Sequence, residues 1–423
     1  MLATDSAMKH WGPILGRFAS VQLLSQLVAF STGILIVRSL DKTDYAYYSI
    51  SIALIAAFTM VADSGISAAL LSSGAKYRDD PNRLSQLFST AVRFRGVFGG
   101  LIAIPTIVFL LFLLWRNGAT PGALAVSALL VLVTFIPVLS ITIFQNYHRI
   151  EMNYPVLQRV TLTIALARIA LIGACSLFGI ANLTTLLAVG AIASIGGAIY
   201  LWVAVRGRIS FSAPSSTQDM SLFKSNVRKT LPMTLLLAMS EQLTTLLITF
   251  FGSITVIAEV SALSRFSVAF VIVNAMVSDL GAPLVARTPA EPGMLARKIG
   301  LILGAYASFA TVGVLLVWAL RSPLLAILGP AYEGLETPLV IIASGAAALN
   351  TAYALNSINQ ARNWLSFSWI YAPLLLVWAG LSALLLDLSD INQASIMVAT
   401  LALPALATQL IRTANGFRQL EPR

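Results

Sequence analysis

Apolar runs long enough to cross a membrane follow one another along the whole chain, and polar residues collect in the short gaps between them. About twenty apolar residues in helical conformation span the hydrocarbon core of a bilayer, where the backbone must satisfy its hydrogen bonds within the helix. The pattern predicts twelve spanning helices, near residues 18–40, 45–70, 96–115, 121–145, 157–178, 182–205, 230–252, 260–285, 298–320, 335–360, 367–386 and 392–413. The first run is longer than a signal-peptide core and has no convincing cleavage pattern, so it reads as a permanent helix. The expected fold class is all-α integral membrane, with about 12 transmembrane helices.

Composition agrees: 58% of the 423 residues are hydrophobic and 10% charged, against roughly 45–50% and 25% in soluble domains. Soluble-enzyme readings are nearly excluded. The net charge of +10 does not point to nucleic acid, because the basic residues sit in connectors and form no basic face. They sort by side instead. Twenty-one of the 27 Lys and Arg fall on the side of the N-terminus, four on the other, and Arg168 and Arg265 lie inside spans. The excess marks the cytoplasm and predicts that both termini lie there. One cysteine, Cys175, permits no internal disulfide, and His10 and His148 make no zinc-ligand set. No catalytic residue, metal or cofactor is expected.

The longest polar connector, about Arg206 to Lys229, follows the sixth run. It divides the chain into an N-terminal lobe at 1–205, a cytoplasmic inter-lobe linker at 206–229 and a C-terminal lobe at 230–423. Sliding the chain along itself by 216 residues sets 26–65 against 242–281 with nine identities in forty positions, among them Asp63/Asp279 and Gly65/Gly281. Both halves start from the same side, so the repeat is parallel, about an axis along the membrane normal. Two such six-helix lobes around a central cavity imply alternating access. The connectors on the far side are short and leave no room for an extracytoplasmic catalytic domain.

Charges inside spans are costly and mark candidate sites. Arg168, near the middle of the fifth run, has the forked geometry to grip a phosphate; the competing reading is a structural pair with a buried acid or with helix-end carbonyls. Arg265, in the eighth run, reads as cavity-lining in preference to snorkelling to the interface. Glu241 sits near mid-depth of the seventh run. A turn centred on Ile257 would set it about 12 Å from the depth of Arg265, whereas a tight turn at Gly252-Ser253-Ile254 would make the two level. A buried carboxylate there is a candidate for exchanging a coupling proton, against a structural hydrogen bond or pair. Asp63 and Asp279, each two residues before a glycine near the inner end of a helix, are candidates for a gate or for ion coupling, with the gate favoured.

The stretch Gly33-Ile34-Leu35-Ile36-Val37-Arg38-Ser39-Leu40-Asp41-Lys42-Thr43-Asp44-Tyr45-Ala46-Tyr47-Tyr48-Ser49, followed by Val61-Ala62-Asp63-Ser64-Gly65-Ile66, resembles the N-terminal signature of bacterial polysaccharide biosynthesis membrane proteins. These are the Wzx-type O-antigen and exopolysaccharide flippases, of the superfamily that also holds MATE drug exporters and the lipid II flippase. The family usually has Gly where this chain has Ala46. Ala258 to Arg265 resembles its Ala-x-x-x-Ala-x-x-Arg segment, and Leu328-Gly329-Pro330-Ala331-Tyr332 its Leu-Gly-x-x-Tyr turn. The resemblance implies a flippase that carries undecaprenyl-diphosphate-linked oligosaccharide from the cytoplasmic to the periplasmic leaflet of the inner membrane. Arg168 and Arg265 would then be substrate-binding, the lipid bilayer and a polysaccharide polymerase would be partners, and no nucleic acid would be bound.

The runner-up is a MATE-like cation or drug antiporter on the same fold. It would need acids in excess over bases at depth, whereas Glu241 and Asp63 stand against Arg168 and Arg265. A membrane polymerase or ligase would need a large extracytoplasmic loop.

Overall fold

A computed structural model describes residues 23–420. Its secondary structure is helical, 86% of it, with no strand among the described residues. In chain order the helices are α1 (Leu23–Ser39), α2 (Lys42–Asp63), α3 (Ile66–Lys76), α4 (Pro81–Arg116), α5 (Pro121–Ile150), α6 (Tyr154–Leu177), α7 (Leu183–Val205), α8 (Thr217–Phe251), α9 (Ile254–Leu263), α10 (Val268–Met276), α11 (Ala282–Ala286), α12 (Pro292–Ala319), α13 (Arg321–Leu328), α14 (Glu336–Ala361), α15 (Tyr371–Leu385), α16 (Ile391–Thr400) and α17 (Ala402–Arg418). Eleven segments are long and apolar enough to cross a membrane, and α1 is a shorter apolar helix where the first run was expected. About twelve spans is thus consistent with the structure.

Helix starts follow ordinary capping chemistry. The Asp41 carboxylate accepts from the Asp44 amide at 2.7 Å, and Asp80 accepts from the amides of Asn82 and Arg83. Asn182 and Thr185 form a reciprocal capping box. Proline at the first helical position opens α4, α5 and α12, where its missing N–H is not needed. The lipid-facing surfaces are read just as directly. On α4, Val97, Leu101, Ile104 and Val108 are each more than 60% exposed and recur every three or four residues, an apolar stripe that water would not tolerate and hydrocarbon does.

The chain divides into two compact units, Met1–Gln242 and Leu243–Arg423, so the division falls within α8. In the first unit, Ile66, Leu84, Phe88, Tyr147, Leu201 and Phe223 belong to one buried cluster that joins α3, α4, α5, α7 and the start of α8. The segment expected as a linker is folded onto this unit. Arg83 holds Asp219 through two bonds of 2.6 Å. Ser89 donates to the Ala213 carbonyl at 2.8 Å, and the Ser216 amide donates to Thr90 at 3.0 Å. In the second unit, Phe270, Tyr306, Ala343 and Ala347 form a core around α14. There Gly345 lets the α16 backbone at Ala399 approach so closely that any Cβ would collide with it.

Candidate substrate-binding and gate residues

Arg168 lies on the same face of α6 as Val160 and Ile172, the two fully buried residues of that helix. The half-buried guanidinium therefore turns toward its own unit and away from lipid. Its Nη2 donates to the hydroxyl of Tyr48 on α2, a residue 1% exposed, and its Nε is buried with no partner. No carboxylate pairs with it among the described residues. Of the readings open for Arg168, a pair with a buried acid is not what the described residues form. The aromatic run at the start of α2 supplies a hydroxyl in place of an acid, which orients the cation without neutralising it.

Asp63 ends α2. Ser64 and Gly65 then break the helix, Gly65 at φ +78°, before α3 begins at Ile66. The Asp63 carboxylate is 3.0 Å from Nη1 of Arg95 on α4 and accepts a 2.6 Å hydrogen bond from Ser67. The Ser67 hydroxyl in turn accepts from Asn146 of α5 at 2.8 Å. On the other side of the break, Thr230 of α8 donates to the Ser64 carbonyl at 2.7 Å. The expected second span, 45–70, is thus two helices meeting at an Asp-Ser-Gly joint.

In the second unit the expected eighth span is also irregular, at two candidate residues. Arg265 sits half-buried in a 3₁₀ turn, Ser264–Ser267, between α9 and α10, and Asp279 falls in a π-helical turn, Val277–Gly281, before α11. The Asp279 side chain lies outside the described residues. Single 3₁₀ and π turns inside a helix recur at hinges and functional sites. Of the two registers open for the preceding turn, the tight one is adopted: α8 ends at Phe251 and α9 starts at Ile254, with Ser253 as its cap. Arg265 is then about 16 Å along the helix from that turn. Glu241 is exposed on α8, at the end of the first unit, whereas Arg265 belongs to the second.

Residues 17–290, well over half of the chain, match the family described as "Polysaccharide biosynthesis protein". The chain belongs to that family. The match spans the signature in α1 and α2, the Asp-Ser-Gly joint, and both deep arginines. Among solved structures, the chain is similar to the lipid II flippase MurJ in an inward closed conformation, with TM-score 0.75 and 11% identity over 95% of this chain and 89% of that one. It is also similar to an inward-facing multidrug resistance MATE family transporter of the MOP superfamily, at TM-score 0.66 and 11% identity over 95% and 98%. The Vibrio cholerae MATE transporter VcmN in its bent form gives TM-score 0.51 and 17% identity over 96% and 98%. At these identities the fold is what is shared. No curated protein matches the chain in sequence.

Arg95 is the residue that sequence reasoning missed. The third apolar run begins at Gly96, which leaves Arg95 among the connector residues by hydropathy alone, yet it lies within α4 and is 1% exposed. The signal was a helical one. Leu84, Leu87, Phe88, Ala91 and Arg95 follow a 3–4 residue spacing, and all five are buried.

Proposed function

We propose that this chain flips undecaprenyl-diphosphate-linked oligosaccharide from the cytoplasmic to the periplasmic leaflet of a bacterial inner membrane. The lipid-linked sugar would serve O-antigen or exopolysaccharide synthesis, and a polysaccharide polymerase would consume it on the far side. Transport proceeds by alternating access of two six-helix lobes around a central cavity, joined by the 206–229 linker, with both termini cytoplasmic. Neither the sugar nor the diphosphate crosses about 30 Å of hydrocarbon unaided. A cationic lining that replaces their hydration removes most of that barrier while the polyprenyl tail stays in lipid, and no covalent chemistry is needed.

The observation that carries the reading is the bonding of Arg168. It is held by a tyrosine hydroxyl, with its Nε buried and unpartnered, and with no carboxylate on it among the described residues. A guanidinium in that state keeps its charge and spare donors for an anionic group. Arg265, in its 3₁₀ turn, is the second cationic position. Glu241, Asp63 and Asp279 are the acids at which an ion gradient or a gate would act.

The test is a gene deletion complemented with wild type, Arg168→Ala and Arg265→Ala, followed by an assay of leaflet accessibility of the lipid-linked oligosaccharide. Accumulation on the cytoplasmic leaflet, rescued by wild type and not by the well-expressed arginine variants, supports the flippase. The alternative is a MATE-like cation or drug antiporter, a reading favoured by the exposed carboxylate of Glu241. Normal glycan export with new sensitivity to cationic drugs would move the assignment there.

A further inference from the structure

The joint between α2 and α3 collects more polar contacts than either helix needs to end or begin. Asp63 on α2, Ser67 on α3, Arg95 on α4, Asn146 on α5 and Thr230 on α8 all bear on it, so five helices of the first unit meet at Asp63-Ser64-Gly65. The charges within it balance. Arg95 is 1% exposed, and the Asp63 carboxylate at 3.0 Å is the one charge beside it among the described residues. All three nitrogens of its guanidinium are buried and make no hydrogen bond, so Asp63 compensates Arg95 by charge at close range. If Asp63 gave up its charge to a proton, or turned to a sodium ion, Arg95 would be left as an uncompensated buried cation, which is among the most destabilising changes a packed interior can undergo. A carboxylate that cycles between a free and an ion-bound form does not sit well in that position.

The backbone points the same way. Gly65 takes a left-handed conformation, and a side chain there would meet Thr230 at 2.8 Å. That same threonine hydroxyl donates to the Ser64 carbonyl. The break is therefore closed from one side by α8 and from the other by the Asp63–Arg95 pair.

We propose that Asp63 and Arg95 act as one charge-neutral pin that fixes the α2–α3 joint, so that Asp63 positions the joint and carries no coupling ion. Arg95 is then a positioning residue of the transport cycle. Only the transport arm of the test rests on the flippase reading.

The test uses the full-length protein in proteoliposomes, as wild type, Asp63→Asn, Arg95→Met, Arg95→Lys and the double variant Asp63→Asn/Arg95→Met. Two quantities are read: the thermal unfolding midpoint, and flipping of a lipid-linked oligosaccharide with and without imposed proton and sodium gradients. Each neutral single variant lowers the midpoint and reduces flipping at least roughly tenfold, because one charge is left unpaired. Arg95→Lys is intermediate. The double variant, with neither charge, regains the midpoint, flips within about threefold of wild type, and keeps whatever gradient dependence wild type shows. A double variant that regains stability but loses a gradient dependence that wild type has would overturn the proposal and make Asp63 the coupling acid. So would an Asp63→Asn protein as stable as wild type. Should wild type move no lipid-linked oligosaccharide, the flippase reading fails while the midpoints of the five proteins still decide the pin.

Discussion

Arg168 is held by the hydroxyl of Tyr48, a neutral partner, inside a span where a lone cation is costly. The bond orients the guanidinium and leaves its charge intact, so the two side chains should differ in what they lose. Arg168→Ala removes the cation and is expected to reduce flipping at least roughly a hundredfold, as a charge-assisted contact of about 3 kcal/mol would. Tyr48→Phe removes only the orienting bond and should cost about tenfold or less. Flipping assays on purified protein matched for folded amount check both. Equal losses would mean that the tyrosine itself meets the substrate.

The repeated Asp-x-Gly motif adopts two conformations. Gly65 has φ +78°, whereas Gly281 has φ −69°, an ordinary helical value. Alanine at 65 meets both the left-handed backbone and the Thr230 hydroxyl, and should lower stability by about 1–2 kcal/mol or more. Alanine at 281 comes within 3.3 Å of Ile302, a contact that a small shift relieves, so its effect should stay below about 1 kcal/mol. Thermal unfolding of the two variants in detergent makes the comparison.

That contrast also marks where sequence reasoning stops. The spans were legible because twenty apolar residues admit few other readings, and Arg168 stood out because its neighbours on both sides are apolar. Asp63 and Asp279 were recognised as equivalent, but not that one motif would break its helix and the other would widen its helix into a π turn. The first joint is packed by Thr230 and Arg95, contacts between residues 166 and 32 positions apart in the chain, which no local pattern announces. Arg95 itself was hidden because a window averaged over hydropathy ends at the first charge, whereas the buried stripe of α4 runs through it. The 3₁₀ turn at Arg265 left no mark on periodicity, since its few residues barely shift the helical phase.

The segment 206–229, expected as an inter-lobe linker, is pinned to α4 within the first unit. The pin is the bidentate Arg83–Asp219 pair at 2.6 Å, with Asp219 side-chain exposure of 4%. Asp219→Asn leaves Arg83 without its charge partner and should free the connector. Trypsin is then expected to cut at the exposed Arg206 and Arg208 several times faster than in wild type. Limited proteolysis with mass spectrometry of the fragments gives the rates, and unchanged cutting would show that the Ser89 and Thr90 contacts suffice to hold the segment.

Arg412 on α17 ties the second unit together in a way that involves no acid. Its Nε donates to the Trp364 carbonyl at 3.0 Å, and Nη1 donates to Asn356 at 2.8 Å and Gln409 at 2.9 Å. The guanidinium is almost fully buried, so Arg412→Ala strands three acceptors and opens a cavity. The expected loss is about 3–5 kcal/mol, seen as a depressed unfolding midpoint and low yield of folded protein. Lysine has one ammonium and no fork, and should recover less than half of the loss.

Orientation decides which way the substrate would travel, and one free thiol makes it testable. Cys175 is the chain's single cysteine, so Cys175→Ser provides a background without thiols. Gln218→Cys at the exposed start of α8 and Ser389→Cys in the exposed turn before α16 then serve as reporters, which the order of apolar runs in the sequence expects on opposite sides. The sequence reading sets twenty-one basic residues on the Gln218 side against four on the Ser389 side, so the positive-inside rule predicts a cytoplasmic Gln218. A membrane-impermeant maleimide added to intact spheroplasts should label Ser389→Cys and spare Gln218→Cys, and inside-out vesicles should reverse the pattern. The opposite labelling would reverse the proposed orientation of the chain, and with it the proposed direction of transport.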